Sequence, residues 1–267
     1  MLSNSNRYWE DIARSWRSTS QHHLWRRHSD AVNSALFSRW LPVGAEILLK
    51  TDAFDEAFGE GLFPLLASRA ETVIAMDVAV STLLEARLHH PGMQVVSADV
   101  RNLPFEDETF DIIVSNSTLD HFADERQITG SIRELHRILK TGGCLLLTID
   151  NPLNPLLTLR GLLPFTLLRR LGLVPYYVGK SLSPGRLRRE LQEAGFDIRE
   201  IRAVMHCPRV LAVAAARLLS DHASAPGQER YLQWLQWFER LAALPTRYLT
   251  GNFTAVKAIK AASSGPA

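Results

Sequence analysis

Five short apolar runs in the first part of the chain each end in polar side chains able to hold a ligand. EILLK ends in Lys50 and is followed by Thr51 and Asp52. TVIAMD ends in Asp77, and MQVVSAD ends in Asp99. FDIIVSN ends in Asn116, with Ser117 and Thr118 beyond it, and CLLLTID ends in Asp150. A carboxylate accepts hydrogen bonds from two hydroxyls, and a second acid or an amide can hold an exocyclic amine. This set therefore suits a nucleoside-like ligand. Further acids, Asp55, Glu56 and Glu60, crowd the stretch after the first run. They would repel a pyrophosphate, and no GxGxxG follows that run. Both facts weigh against a nicotinamide dinucleotide. His121 follows Asp120 in STLDHF. An imidazole there could take a proton from a substrate nucleophile, or could open a helix with a structural hydrogen bond. His206 and Cys207 stand in MHCPR after a later run. They lack two further ligands at a metal-binding spacing, so no metal is expected. Trp25, Asp120 and His206 are the candidates for substrate contact.

The elements needed to position these residues are legible as alternating strands and helices. The runs Glu46–Lys50, Thr72–Asp77, Met93–Asp99, Phe110–Asn116 and Cys144–Asp150 are short, aliphatic and bounded by turn residues. Between them lie helical segments, Ser81–His89 and Glu125–Leu139. The second carries an apolar stripe of Ile128, Ile132, Leu135 and Leu139. Continuous apolar strands separated by helices imply a parallel sheet covered on both faces. Right-handed crossovers then make an open, doubly wound, Rossmann-like α/β sheet the simplest closure, with ligands at the carboxyl ends of its strands. Residues 1–41 are expected as an N-terminal helical cap, with Trp9, Ile12, Ala13 and Trp16 on one face. The α/β domain is expected over 42–260, with an inserted helical lid at about 151–182 and a disordered tail at 261–267. Helix Ser183–Ala194, strand Asp197–Val204, helix Glu229–Ala243 and strand Asn252–Ile259 complete it.

Several of these segments, in this order, resemble the class I S-adenosylmethionine (SAM) dependent methyltransferases. TVIAMD is similar to their second strand, VVSADVRNLPFEDETFDIIVSNSTLDHF to their third and fourth, and LHRILKTGGCLLLTI to the fifth helix, glycine turn and fifth strand. The resemblance covers roughly residues 40 to 150, and FTAVKAIK resembles the final antiparallel strand. It implies SAM as cofactor, with Asp77 on the ribose hydroxyls, Asp99 and Val100 flanking the adenine, and Asn116 and Ser117 along the methionine part. The family's first strand usually ends in an acid followed by a GxGxG-like loop. Here the stretch is KTDAFDEAFGEG, so that Lys50, Thr51, Asp52, Asp55, Gly59 and Gly61 are the candidates for that wall. Eight residues, Thr51 to Phe58, precede Gly59. Asp52 or Asp55 would take the ammonium group of SAM.

Bulk properties narrow the alternatives. The chain has 267 residues, a hydrophobic fraction of 46% and a net charge of +2. That is enough for one sizeable core, and the charge is too small to draw in nucleic acid or anionic membranes. The apolar stretch from Leu153 to Val174 is interrupted by arginines and prolines, so no stable membrane insertion is expected. The N-terminus has no basic segment leading into an apolar run, which points to the cytoplasm. The expected activity is methyl transfer to a small, apolar molecule. A non-catalytic protein of the same fold and a nicotinamide oxidoreductase are the alternatives. The sequence does not give the oligomeric state.

Overall fold

The computed structural model describes residues 2–17, 23–170, 174 and 176–262. The tail expected at 261–267 therefore lies, from residue 263 on, outside the described residues, as do 171–173 and 175 of the expected lid. Seven strands form one sheet: β1 (Ala45–Lys50), β2 (Ala70–Asp77), β3 (Gln94–Ser97), β4 (Phe110–Asn116), β5 (Leu139–Asp150), β6 (Phe196–Val204) and β7 (Phe253–Lys260). Their order is β3-β2-β1-β4-β5-β7-β6. Strands β1 to β5 pair in parallel, and β7 runs antiparallel to both of its neighbours. The strand order reverses between β1 and β4, which is where doubly wound sheets open a ligand crevice.

The helices are α1 (Leu2–Arg17), α2 (His23–Trp40), α3 (Phe54–Phe58), α4 (Phe63–Ala67), α5 (Val80–His89), α6 (Glu125–Ile138), α7 (Pro155–Leu162), α8 (Phe165–Arg170), α9 (Pro184–Glu193), α10 (Arg209–His222), α11 (Ala225–Trp237) and α12 (Arg247–Thr250). Successive strand residues point to opposite faces of the sheet. Leu48, Ile112 and Leu146 pack with Leu24, Phe37 and Trp40 of α2, Ala212 and Ala216 of α10, and Tyr231 and Leu235 of α11. Leu49, Ile113 and Leu145 pack on the other side with Ile128, Ile132 and Leu135 of α6 and with Leu187 and Leu191 of α9. Each fully buried Leu or Ile contributes about 1.5–3 kcal/mol, so this two-sided packing is what fixes the strand ends. Helix α2, expected as part of a cap, is thus a layer of the core.

Three differences from the sequence reading have local causes. The expected strand at Met93–Asp99 stops at Ser97, because Asp99 turns back to accept a hydrogen bond from the Asn102 N–H at 2.9 Å. The stretch after β1, expected as a loop, contains the short helix α3. Helix α10 was not anticipated. Its sequence RVLAVAAARLLSDH is built of strong helix formers, and its buried alanines seat it close against α2.

Candidate active site

The carboxyl ends of β1, β2, β4, β5 and β6 and the start of β7 share one edge of the sheet. A single cavity runs along that edge, roofed by Trp9 and Trp16 of α1. Helix α1 is held there by two polar contacts. Glu10 accepts from the Ser81 N–H and hydroxyl at 3.2 and 2.6 Å, and the Tyr8 hydroxyl accepts from the Tyr177 N–H at 2.6 Å.

Lys50 ends β1 with its side chain fully buried. Its Nζ lies 2.8 Å from Asp52 Oδ1 and 2.8 Å from Glu56 Oε2. Burial alone would lower the lysine pKa, but the carboxylates of Asp52, Glu56 and Asp55 more than reverse this and keep it protonated. Asp52 faces the cavity, and its Oδ2 is buried with no hydrogen-bond partner. Burial, helped by Asp55 and Glu56 and opposed by Lys50, pushes its carboxyl up to about 7. Asp55 also lines the cavity, between Arg26 at 3.3 Å and the Asn116 amide at 3.4 Å.

Arg26 of α2 explains why the stretch is helical. Its guanidinium donates to the carbonyls of Phe58, Phe54 and Asp55 at 3.1, 3.1 and 3.3 Å. The Phe58 carbonyl, at the end of this five-residue helix, is one the helix leaves without an intrahelical partner. It also lies over the rings of Trp16, Phe54 and Phe58 at 5.3–5.9 Å.

Gly61 has φ +58°, and a Cβ there would lie 2.6 Å from Glu56 Oε1. That oxygen accepts from the Leu62 N–H at 2.9 Å. Gly61→Ala is therefore expected to destabilise the fold by about 2–4 kcal/mol, combining left-handed backbone strain with overpacking. Chemical denaturation measures this. A variant as stable as the parent would show that Glu56 moves aside freely.

Asp77 ends β2. Its Oδ1 accepts from the Ala79 N–H at 2.9 Å and its Oδ2 from the Ala53 N–H at 3.3 Å. Burial pushes the carboxyl up, and those N–H groups oppose it. Each oxygen keeps a lone pair beyond its backbone donor. Asp99 and Val100 line the cavity beside Arg101. Burial acts to raise Asp99, but the two-pronged pairing with Arg101, at 2.5–3.1 Å, holds its carboxyl below the usual range.

Beyond β4, Ser117 adopts φ +52°. Its N–H donates to the carbonyl and hydroxyl of Thr148 at 3.0 and 2.9 Å, and its hydroxyl donates to Asp120 Oδ2 at 2.8 Å. Asn116 accepts from the Thr148 hydroxyl at 2.8 Å. Thr51 is bonded to Ser115 and Thr118 at 3.0 and 2.8 Å. His121 lines the cavity against Trp9 and Tyr176, with ring centroids 4.9 and 5.5 Å away. Its Nδ1 lies 3.1 Å from the Tyr177 carbonyl oxygen. Only a donor satisfies a carbonyl, so the neutral ring carries its proton on Nδ1 and keeps the Nε2 lone pair.

Most of the residues singled out from the sequence converge on this cavity. Thr51, Asp52, Asp55, Asp77, Asp99, Val100, Asn116, Ser117, His121 and Trp25 all line it. Five do not. Lys50 lies beneath the acids. Gly59 packs near Arg26 and Asp30, and Gly61 lies against Glu56. Asp120 is buried behind His121, 3.8 Å from its Nε2, so it touches the histidine rather than the cavity. His206 is buried with Nε2 on the Ala203 carbonyl at 3.1 Å and Nδ1 on the Thr250 hydroxyl at 2.8 Å, and burial lowers its pKa. Its role as a substrate contact is replaced by strand-end packing. The sequence reading missed Arg26, Phe54, Arg101, Tyr176, Met205, Arg209 and Phe253 as lining residues. The strand-end rule, applied to β6, reaches MHCPR, and Arg209 is its last residue. Among the described residues, no group of three or more acids, histidines or cysteines could hold a metal ion.

Comparison with known proteins shows what the chain is similar to. Residues 55–147 match the family model of a methyltransferase domain. A protein of Mycolicibacterium smegmatis named "Probable S-adenosylmethionine-dependent methyltransferase" is 26% identical over 156 residues, covering 58% of this chain and 55% of that one. A namesake in Mycobacterium tuberculosis is 25% identical over 216 residues, covering 78% of this chain and 70% of its own. Over these residues the chain is similar to the SAM-dependent methyltransferases. Solved structures share the fold. The SAM-dependent methyltransferase of Mesorhizobium loti superposes with a TM-score of 0.53 at 18% identity, covering 84% of this chain and 96% of that one. A chain of the Haloferax volcanii complex between the Trm112 methyltransferase activator and a methyltransferase gives 0.61 at 14% identity, covering 95% and 99%.

The donor set fits SAM, the cofactor of the methyltransferases that this chain resembles. Asp77 would take the ribose hydroxyls on its two oxygens, and Asp99 and Val100 would flank the adenine. The partnerless Asp52 Oδ2 offers an acceptor to the ammonium group. The glycine cradle is a departure, as is Lys50 where the first strand usually ends in an acid. Arg26 and the aromatic rings brace α3 where the family usually has open backbone.

Proposed function

We propose that this chain transfers the methyl group of SAM to a small molecule seated under α1, with His121 as general base. SAM, when bound, supplies a methyl carbon on a sulfonium. Transfer of that methyl to a substrate lone pair would leave S-adenosylhomocysteine (SAH). The chain's own contribution is alignment and proton removal. Asp77, Asp99 and Asp52 would fix the cofactor along the strand ends. Trp9, Trp16 and Tyr176 would exclude water from the reacting atoms. His121 Nε2 would accept the nucleophile's proton, and Asp120, 3.8 Å away, would stabilise the imidazolium formed. The observation that carries this reading is the convergence of the three acids and His121 on one cavity, with His121 Nδ1 3.1 Å from the Tyr177 carbonyl oxygen. No helix among the described residues is long and apolar enough to cross a membrane, which agrees with a small-molecule substrate.

Calorimetric titration with SAM, SAH and NADH tests it. SAM and SAH are expected to bind, and NADH is not. The affinity for SAM should rise with pH through about 7 and level off above, because the ammonium favours ionised Asp52, whose carboxyl in the free protein sits near that value. 5′-Methylthioadenosine lacks the ammonium, so its binding should stay flat over the same range. If SAH produces no heat at millimolar concentration, the chain is a non-catalytic relative. If both ligands follow the same pH curve, the ammonium is not held by Asp52.

A further inference from the structure

The two ends of the cavity differ in charge. At β1, the cations Lys50 and Arg26 stand among Asp30, Asp52, Asp55 and Glu56, an acidic excess suited to a cationic cofactor. At β5, β6 and β7 that excess is gone, with Arg160 and Arg209 standing beside Asp150 and Asp120. Strand β7 lies three places from β1 in the sheet, about 14 Å at the usual strand spacing. There Arg160 and Arg209 share one carboxylate. Asp150 Oδ2 is bonded to Arg160, while its Oδ1 lies 3.6 Å from Arg209 Nη1, beyond hydrogen-bond reach.

Arg209 opens α10 and projects into the cavity between Trp25 and Phe253, with its guanidinium 5.9 and 5.4 Å from their ring centroids. Among the described residues its guanidinium donates no hydrogen bond. A guanidinium carries five N–H donors and cannot shed its charge, so one held against apolar rings needs an acceptor. Asp120, the other acid at this end, already accepts from the Asp150 N–H and the Ser117 hydroxyl through Oδ2, and it lies behind His121. The surface that leads from Arg209 back to His121 is apolar, made by Trp25, Phe253, Met205, Tyr176 and Trp9.

We propose that the methyl acceptor is an apolar molecule bearing an anionic group, and that Arg209 receives that anion while the apolar body lies along the aromatic wall toward His121. This rests on the reading of the cavity as a methyl-transfer site and names the class of its substrate. Asp150 and Arg160 are positioning residues. Their pairing sets the carboxylate so that Arg209 is attracted to it without being consumed by it.

The test uses 2-naphthoate, 2-naphthyl phosphate and 2-naphthalenemethanol, titrated into the full chain with and without SAH and read by quenching of tryptophan fluorescence. The parent is expected to bind at least one of the two anions about tenfold more tightly than the alcohol, as a charge-assisted bond would give. The preferred anion separates a carboxylate from a phosphate substrate. Arg209→Met keeps the stacked stem and should bring the anion and the alcohol to within about twofold of each other. Arg209→Lys should keep part of the preference, and it carries the test if the Met variant does not fold. Equal binding of anion and alcohol by the parent overturns the proposal, as does a preference that survives Arg209→Met. If SAH binds while no anion preference is seen, the substrate class is wrong and the methyl-transfer reading stands. If SAH does not bind, that reading falls, whatever the naphthalenes do.

Discussion

The Asp77→Asn protein will fold and bind SAH about a hundredfold more weakly than its parent. Asp77 Oδ1 and Oδ2 each accept one backbone N–H, from Ala79 and Ala53, and each retains a lone pair at the cavity. The two ribose hydroxyls can donate only to acceptors. A carboxylate satisfies both, whereas an amide offers one oxygen and turns two N–H donors toward the other hydroxyl. Hydrogen bonds to a charged group contribute about 1.5–3 kcal/mol each. Weakening two of them at the low end of that range gives the hundredfold. The cost to the fold should be much smaller, because the amide oxygen can keep the Ala79 N–H. A capping bond of this kind contributes about 1 kcal/mol, or some 2–4 °C in Tm for a chain of this size. Calorimetry with SAH and a thermal melt separate the two effects. Unchanged affinity in a folded variant would mean that the cofactor does not lie over β2.

The ends of the strands were legible because the chemistry there is local. A buried parallel strand must be apolar along its length, so the first polar residue after it marks the edge where a ligand can bind. This rule found Asp77, Asp99, Asn116 and Asp150 without any knowledge of the turns between them. It failed where three-dimensional contacts override local composition. The stretch Thr51–Gly61 reads as an acidic loop walling the ligand, yet Lys50 draws Asp52 and Glu56 together and Arg26, from a helix far away in sequence, binds the carbonyls of α3. No pattern within the stretch announces either partner. The sequence reading named His206 as a substrate contact and did not consider Arg209. The β6–β7 pairing turns His206 into the core and leaves Arg209 at the edge. The aromatic roof was half visible. The helical spacing of Trp9, Ile12, Ala13 and Trp16 gave the face, and only the packing of α1 on α5 shows that Ile12 and Ala13 are buried while the tryptophans reach over the cavity.

Lys50→Met is expected to be the most damaging single change in the site, lowering stability by about 3–5 kcal/mol. The family resemblance places an acid at the end of the first strand, and this chain has a cation there instead. The exchange works because two carboxylates, Asp52 and Glu56, each lie 2.8 Å from the ammonium and none of the three side chains is freely hydrated. Methionine matches the length of the lysine stem and fills the space, so packing is largely kept and the loss is electrostatic. It leaves two acids next to each other in a site shielded from water, with Asp55 nearby. Asp52, whose carboxyl burial already pushes up to about 7, can escape by taking up a proton. The variant should therefore recover stability as the pH is lowered from 8 toward 6, where protonated Asp52 no longer repels its neighbours. The sign follows from the direction of the shift. An acid whose folded-state pKa is raised binds more protons folded than unfolded, so stability rises as pH falls through that window. Adding Glu56→Gln to Lys50→Met removes one of the stranded charges and keeps an acceptor for the Leu62 N–H. The double variant should thus be more stable than the single one at pH 8. Urea melts of the three proteins at both pH values measure the coupling. If Lys50→Met is as stable as the parent at pH 8, and Glu56→Gln brings no recovery, the acids reach water without the lysine. The replacement of the family's acid by a buried cation would then be a matter of packing alone.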